Sequence, residues 1–330
     1  MKKSSIGISA GILFLLAGIV ACNKKYTDTA APAQSPNQLF AAFRYTPQTI
    51  TVTAGRDTVV YGDKGTMLHF YTNTFQDQTG KTLTSGTVTV QLVEMYKPAD
   101  FVANRATTMS GKDLLQSGGQ ISIVTTQNNN PVTAAKYGVG FPQPKPVQPT
   151  MALFAGNTNN GDSVTNWNAA DTTKPGTNAE LTTTNIYGRP FIGYVFDSSS
   201  SLEYTNCDAF YSTDSVKTSV SVVVPDTSFN PNTTEVFLIL PTINCALSTI
   251  EPYVGSASWN PYTKTIALVS EGQTNMVPAG LTYKLVVVTN KNGQYYYYTQ
   301  TGTIPHNGLV ATATMAQQSQ SYVQTQMAAL

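Results

Sequence analysis

Residues 87–94, Thr-Val-Thr-Val-Gln-Leu-Val-Glu, alternate strictly: Val88, Val90 and Leu92 fall on one face of an extended chain, with Thr87, Thr89 and Gln91 on the other. Successive side chains of a strand point to opposite faces, so this stretch reads as a strand with one dry and one wet side, the habit of antiparallel sheets. Further strands are suggested at 50–53, 57–61, 66–71 and 120–126, with turns at Asp77-Gln78-Thr79-Gly80 and Ser117-Gly118-Gly119. Farther along, Val216, Thr218, Val220, Val222 and Val224 share a face opposite Lys217, Ser219 and Ser221. Residues 281–289 and 294–302 flank Asn292-Gly293, the pair that type I′ hairpin turns favour. Inside this run only 98–104 reads as helix, for about two turns, and residues 314–330 hold enough helix formers for a short terminal helix. The fold expected is all-β: two β-sandwich-like domains and a short C-terminal helix.

The division comes from composition. Phe-Pro-Gln-Pro-Lys-Pro-Val-Gln-Pro-Thr, residues 141–150, carries four prolines, and the Asn-, Thr- and Gly-rich stretch after it has no periodicity. We therefore expect an N-terminal β-sandwich-like domain over 48–140, a linker or inter-domain segment over 141–185, and a C-terminal β-domain over 186–330. No repeat relates the halves. Charged residues are only 11% of the chain, against about 25% in ordinary domains. Its wet faces are hydroxyl and amide, which suits a secreted β-protein and offers no basic stripe to nucleic acid.

The first 25 residues carry two patterns. Gly7-Ile8-Ser9-Ala10-Gly11 matches the G-x-S-x-G of a hydrolase nucleophile, but that motif needs a strand before it and a helix after it, and here only six residues precede. Lys2 and Lys3 followed by the apolar run 10–21 read instead as a signal peptide, too short to span a bilayer. Ile19-Val20-Ala21-Cys22 resembles the cleavage box of bacterial lipoproteins, with Ile and Val in place of the commoner residues. The expectation is a leader over 1–21, lipid on Cys22, and a flexible tether over 22–47 that holds the folded part away from the membrane. Loss of Lys2 and Lys3 takes the formal net charge from +1 to about −1. Asn23 after the cysteine favours the outer membrane, and Lys24 and Lys25, where surface-exported relatives carry acidic residues, favour its periplasmic face.

Two further stretches carry a family resemblance. Residues 65–123 have a strand, a Phe-x-Asp-x-x-Gly turn, a strand with an acidic end, a short helix and a Leu-x-Ser-Gly-Gly turn, and residues 202–211 read Leu-Glu-Tyr-Thr-Asn-Cys-Asp-Ala-Phe-Tyr. Both are similar to segments of uncharacterised Bacteroidetes-type lipoproteins with tandem β-domains, although Glu203, Tyr204 and Ala209 depart from the second pattern. The resemblance implies location and fold and assigns no activity.

Candidate chemistry is sparse. His69 and His306 are isolated and lack metal-ligand spacing, and Asn157 to Asp162 lacks the acidic first position and terminal glutamate of a calcium loop, so neither metal nor cofactor is expected. Glu203, Asp208, Asp226, Glu235 and Glu251 are available as paired carboxylates for a glycan- or peptidoglycan-active hydrolase. Trp167, Trp259 and Tyr295 to Tyr298 are candidates for glycan binding if exposed, and core or strand residues otherwise. The leading expectation is a lipid-anchored binding or assembly module whose partners are the membrane and an envelope protein or glycan. With Cys22 lipidated, Cys207 and Cys245 remain as a candidate disulfide, closing a loop of about 38 residues, or as two buried free thiols.

Overall fold

The computed structural model describes residues 36–143, 150–158, 164–170, 180–182, 185–186, 188–199, 202–248, 259–269 and 273–330. The leader, Cys22 and the tether as far as residue 35 lie outside the described residues, as do most of the candidate calcium loop and Glu251. The described chain is all-β, with three short helices.

The alternation at Thr87–Met95 is realised: Val88, Val90 and Leu92 are buried while Thr87 and Gln91 are exposed. This strand lies in an eight-stranded sheet whose main path runs Gln48–Thr53, Thr87–Met95, Asp113–Gln127, Tyr204–Phe210, Ala152–Thr158 and Val164–Ala169, each neighbour antiparallel to the last. A five-stranded sheet faces it, in the order Glu180–Thr182, Gly193–Ser199, Tyr137–Pro142, Met67–Phe70 and Thr58–Tyr61. Val90, Leu92, Ile121 and Ile123 from the first sheet meet Leu68, Phe70, Val139 and Phe196 from the second in a dry core.

A second sandwich follows. Trp259–Asn260, Thr265–Ala267, Val220–Val223 and Leu309–Thr312 form one sheet; Cys245–Ser248, Thr234–Leu240, Thr282–Lys291, Gln294–Thr303 and Ala316–Gln318 form the other. Val220, Val222 and Ile266 pack against Val236, Leu238 and Leu285 between them. The two-residue Asn292-Gly293 turn sets the register of its longest hairpin, pairing Lys291 with Gln294, and both turn residues have positive φ.

The outer face of the second sandwich's five-stranded sheet is also dry. Phe237, Ile239, Val286 and Val288 pack there against the three helices and against Leu115, Phe154 and Trp167 from the outer face of the eight-stranded sheet. Strand Thr234–Leu240 is consequently buried at every position and shows no alternation, Thr-Glu-Val-Phe-Leu-Ile-Leu. This third core joins the two sandwiches.

Two expectations change here. Helix α1, Pro36–Ala41, sits within the expected tether and buries Leu39 and Phe40 completely in the third core; an apolar Leu-Phe-x-x-Phe cluster in a polar stretch is worth more inside than in water. Residues 141–185, expected as a linker, supply strands Ala152–Thr158 and Val164–Ala169, while Gly193–Ser199 and Tyr204–Phe210 pair with N-terminal strands. The first sandwich therefore runs to Phe210. Proline density had suggested a break, but a strand needs only a few residues after a proline to resume pairing. The short C-terminal helix forms as α3, Gln320–Ala328, capped by Ser319 through the Tyr322 N–H.

Candidate functional site

Strand Asp113–Gln127 does not run evenly beside Tyr204–Phe210. Asn206 pairs with Gln120 and Asp208 with Ser117, so the register slips at Ser117-Gly118-Gly119, a β-bulge. The glycines are required. Gly119 has φ +135°, and a Cβ there would stand 2.3 Å from the Tyr96 ring; at Gly118 it would stand 2.9 Å from the Cys207 carbonyl oxygen. Tyr96 is thus drawn over the bulge, and its hydroxyl lies 2.6 Å from Thr66 Oγ1. Gln143 Nε2 donates to the Gly118 carbonyl at 2.6 Å.

The second sandwich reaches the same point. A turn of 3-10 helix, Pro241–Ile243, ends at Asn244 in the left-handed region, φ 48°. The Asn244 amide donates to the Ser117 carbonyl at 2.8 Å and the Tyr96 carbonyl at 3.1 Å, clamping one sandwich to the other. Helix α2, Pro98–Asn104, supplies the remaining wall. Its Asp100 accepts from the backbone N–H of Tyr96 (2.7 Å) and Lys97 (3.1 Å), from Tyr45 hydroxyl (2.9 Å), and pairs with Lys64 at 2.9 Å. Burial, with the Asp100 charge behind it, pushes the Tyr45 hydroxyl far above its ordinary range.

Together these groups enclose a cleft of about 730 Å³ between the sandwiches, in the size range of small-ligand sites. Its mouth is set by exposed Lys97, Pro241 and Thr242, and its wall by Tyr96, Gln116, Gln143 and Asn244. Behind the bulge Asp208 is fully buried, and desolvation raises its pKa to about 8, tempered by the Ser117 hydroxyl, Asn206 and the Gly118 N–H.

The carboxylates offered by the sequence do not assemble among the described residues. Glu203 is exposed. Asp226 sits in an exposed turn, where Ser228 holds its carboxyl below the ordinary range. Glu235 is buried against Arg105 at 3.0 Å, so among the described members of the set Asp208 alone adjoins the cleft. His69 bonds Asp57 at 2.9 Å, and His306 is exposed in a turn. No group of three His, Cys, Asp or Glu side chains converges among the described residues. Trp167 is fully buried, its indole N–H donating to the Thr107 carbonyl at 2.6 Å, and Trp259 leans on the second core. The four tyrosines split between cores, Tyr295 and Tyr297 toward the third, Tyr296 and Tyr298 toward the second, and form no exposed row.

The candidate disulfide is absent: Cys207 and Cys245 are both free and buried. Cys207 points into the core of the first sandwich and Cys245 into that of the second, where Thr108 donates to its sulfur at 2.9 Å. Burial pushes the Cys245 thiol up to about 12 and raises the Cys207 thiol well above its ordinary value.

Tyr96, Gln143 and Asn244 escaped the sequence reading because single polar residues carry no pattern. The bulge did leave a signal. A Gly-Gly pair inside a run that otherwise continues as strand marks a bulge as readily as a turn. No known family, curated protein or solved structure matches this chain.

Proposed function

We propose that this chain is a lipid-anchored protein of the bacterial outer envelope, held by Cys22 on the periplasmic side of the outer membrane, that works by binding a neutral glycan in the inter-sandwich cleft. One observation carries the binding half: the cleft walls present three carboxamides, Gln116, Gln143 and Asn244, beside hydroxyls of Ser117 and Thr242 and the Tyr96 ring. Asn244 gives its amide hydrogens to the Ser117 and Tyr96 carbonyls and Gln143 one of its own to Gly118, so these two face a ligand chiefly with carbonyl oxygens, acceptors for sugar hydroxyls, and the aromatic ring offers an apolar face. The leader, the box before Cys22 and the resemblance of residues 65–123 and 202–211 to Bacteroidetes-type lipoproteins support the location.

Binding is tested with the full chain on a glycan array, followed by calorimetry on the tightest glycan. Gln116→Ala and Thr242→Val should each weaken it by roughly tenfold, the worth of about one hydrogen bond. Unchanged affinity in both would refute the site, and turnover of the glycan would favour a hydrolase. For the anchor, Cys22→Ala should move the protein from membrane to soluble fractions. Removal by protease from intact cells would place it on the outer leaflet instead.

A further inference from the structure

Three side chains on one face of the bulged strand pair are wholly buried: Gln120, Asn206 and Asp208. Each keeps an oxygen with no partner at ordinary hydrogen-bond geometry, Gln120 Oε1, Asn206 Oδ1 and Asp208 Oδ1. Asp208 has the Ser117 hydroxyl and the Gly118 N–H beside it, but the Gln120 and Asn206 oxygens call for protons that a carboxylate and two fixed amides do not supply. The contact between the Asn206 amide and Asp208 Oδ2 measures 2.5 Å. That is short for N–H···O, which centres near 2.9 Å, and ordinary for O–H···O.

A half-turn of the Asn206 carboxamide exchanges its oxygen and nitrogen and accounts for the short contact and for the Asn206 and Gln120 oxygens, while Asp208 Oδ1 is left to the Ser117 hydroxyl and the Gly118 N–H. Its oxygen then faces Asp208 and accepts a carboxylic O–H. Its NH₂ turns toward Gln120, which stands directly across the strand pair, and supplies Gln120 Oε1. Gln120 already donates onward to the Thr107 carbonyl at 3.1 Å, the acceptor that Trp167 also uses.

We infer that Asp208 stands in the fold as a carboxylic acid donating to Asn206, and that this proton locks the Ser117-Gly118-Gly119 bulge that walls the cleft. The inference depends on the binding reading only in calling the bulge a cleft wall. When the O–H bond breaks, the proton passes to hydroxide, and a bare carboxylate remains against the Asn206 oxygen or forces the amide back, orphaning Gln120. The titratable groups around Asp208 are Cys207, adjacent in the strand with its side chain on the opposite face, Cys245 from the second sandwich and Tyr96 near the bulge. Burial raises the pKa of all three, so they stay neutral while Asp208 ionises. Its own raised pKa agrees with the hydrogen-bond pattern.

The test is infrared difference spectroscopy on the full chain between about pH 6 and about pH 9, where a carboxylic C=O stretch disappears on ionisation. A band that titrates in this window, shifts on ¹³C labelling of aspartate and is missing in Asp208→Asn is the expected result. Aspartate labelling works without any variant, so misfolding of Asp208→Asn does not spare the idea. No titrating aspartate band, or one that persists in a folded Asp208→Asn, would overturn it. Coupling to the wall is read by hydrogen exchange. Protection at 117–119, corrected for intrinsic rates, should fall about tenfold over the same window in the wild type and stay flat in Asp208→Asn. Flat protection in both would refute the lock. Neither readout needs a ligand, so both stand apart from failure to bind glycan.

Discussion

Arg105 and Glu235 meet at 3.0 Å with their side chains only 5% and 1% exposed, one at the end of α2 and the other in strand Thr234–Leu240. Removing one partner of such a pair leaves a charge buried alone. Arg105→Met should therefore cost about 3–5 kcal/mol in denaturant unfolding, and Arg105→Met with Glu235→Leu should recover most of it. An additive double variant would show that the pair is not coupled. Asp208 acts through pH. Its folded pKa lies above its ordinary 3.8, at about 8, so the native state holds the extra proton. Its contribution to stability is present below about pH 4 and lost as pH rises to about 8, and Asp208→Asn should flatten that decline in thermal unfolding. Asp77 and Asp226, held below the ordinary range, act with opposite sign, but Asp226 is exposed and Asp77 lies in a surface turn, so solvent screens both. None of these roles could be read from the chain. Asp208 and Glu235 entered as candidate catalytic carboxylates because spacing along a sequence says nothing about which charges are buried, or beside what.

Elements were far more legible, and where they were missed the reason is packing. The strand at 87–95, α2 and the Asn292-Gly293 hairpin form as their residues suggest, since alternation and turn chemistry are local, whereas Met67–Phe70 is buried at all four positions and the run 216–224 breaks into Lys217–Thr218 and Val220–Val223 with Val216 exposed. Gly293 has φ +75° with open space around the site of a Cβ, so Gly293→Ala should cost only the backbone strain, about 1–2 kcal/mol by thermal unfolding. Helix α1 had no such local signature. Six residues with Pro32 upstream and Pro36 at their start read as tether, and only the third core makes them helix. Phe40 is fully buried there, with ring centroids 5.3 Å from Phe237 and 5.5 Å from Phe43. Phe40→Ala should cost about 3–5 kcal/mol, far beyond what a residue in a flexible tether could cost. Strand Thr234–Leu240 likewise lost its alternation because both its faces are covered.

At the scale of the molecule the described residues belong to one compact unit, and the third core is built from both sandwiches and all three helices. Calorimetry should accordingly give a single unfolding transition, with two resolved transitions contradicting a shared core. The same junction makes the cleft, since Asn244 from one sandwich holds the bulge of the other. The claim that this cleft is the working surface is tested most directly by hydrogen exchange on the full chain, free and saturated with its tightest-binding glycan. Protection concentrated at 96–97, 116–119, 143 and 241–244 is the result expected. Protection confined to another surface, such as the turn that exposes Tyr262, with these segments unchanged, would contradict it.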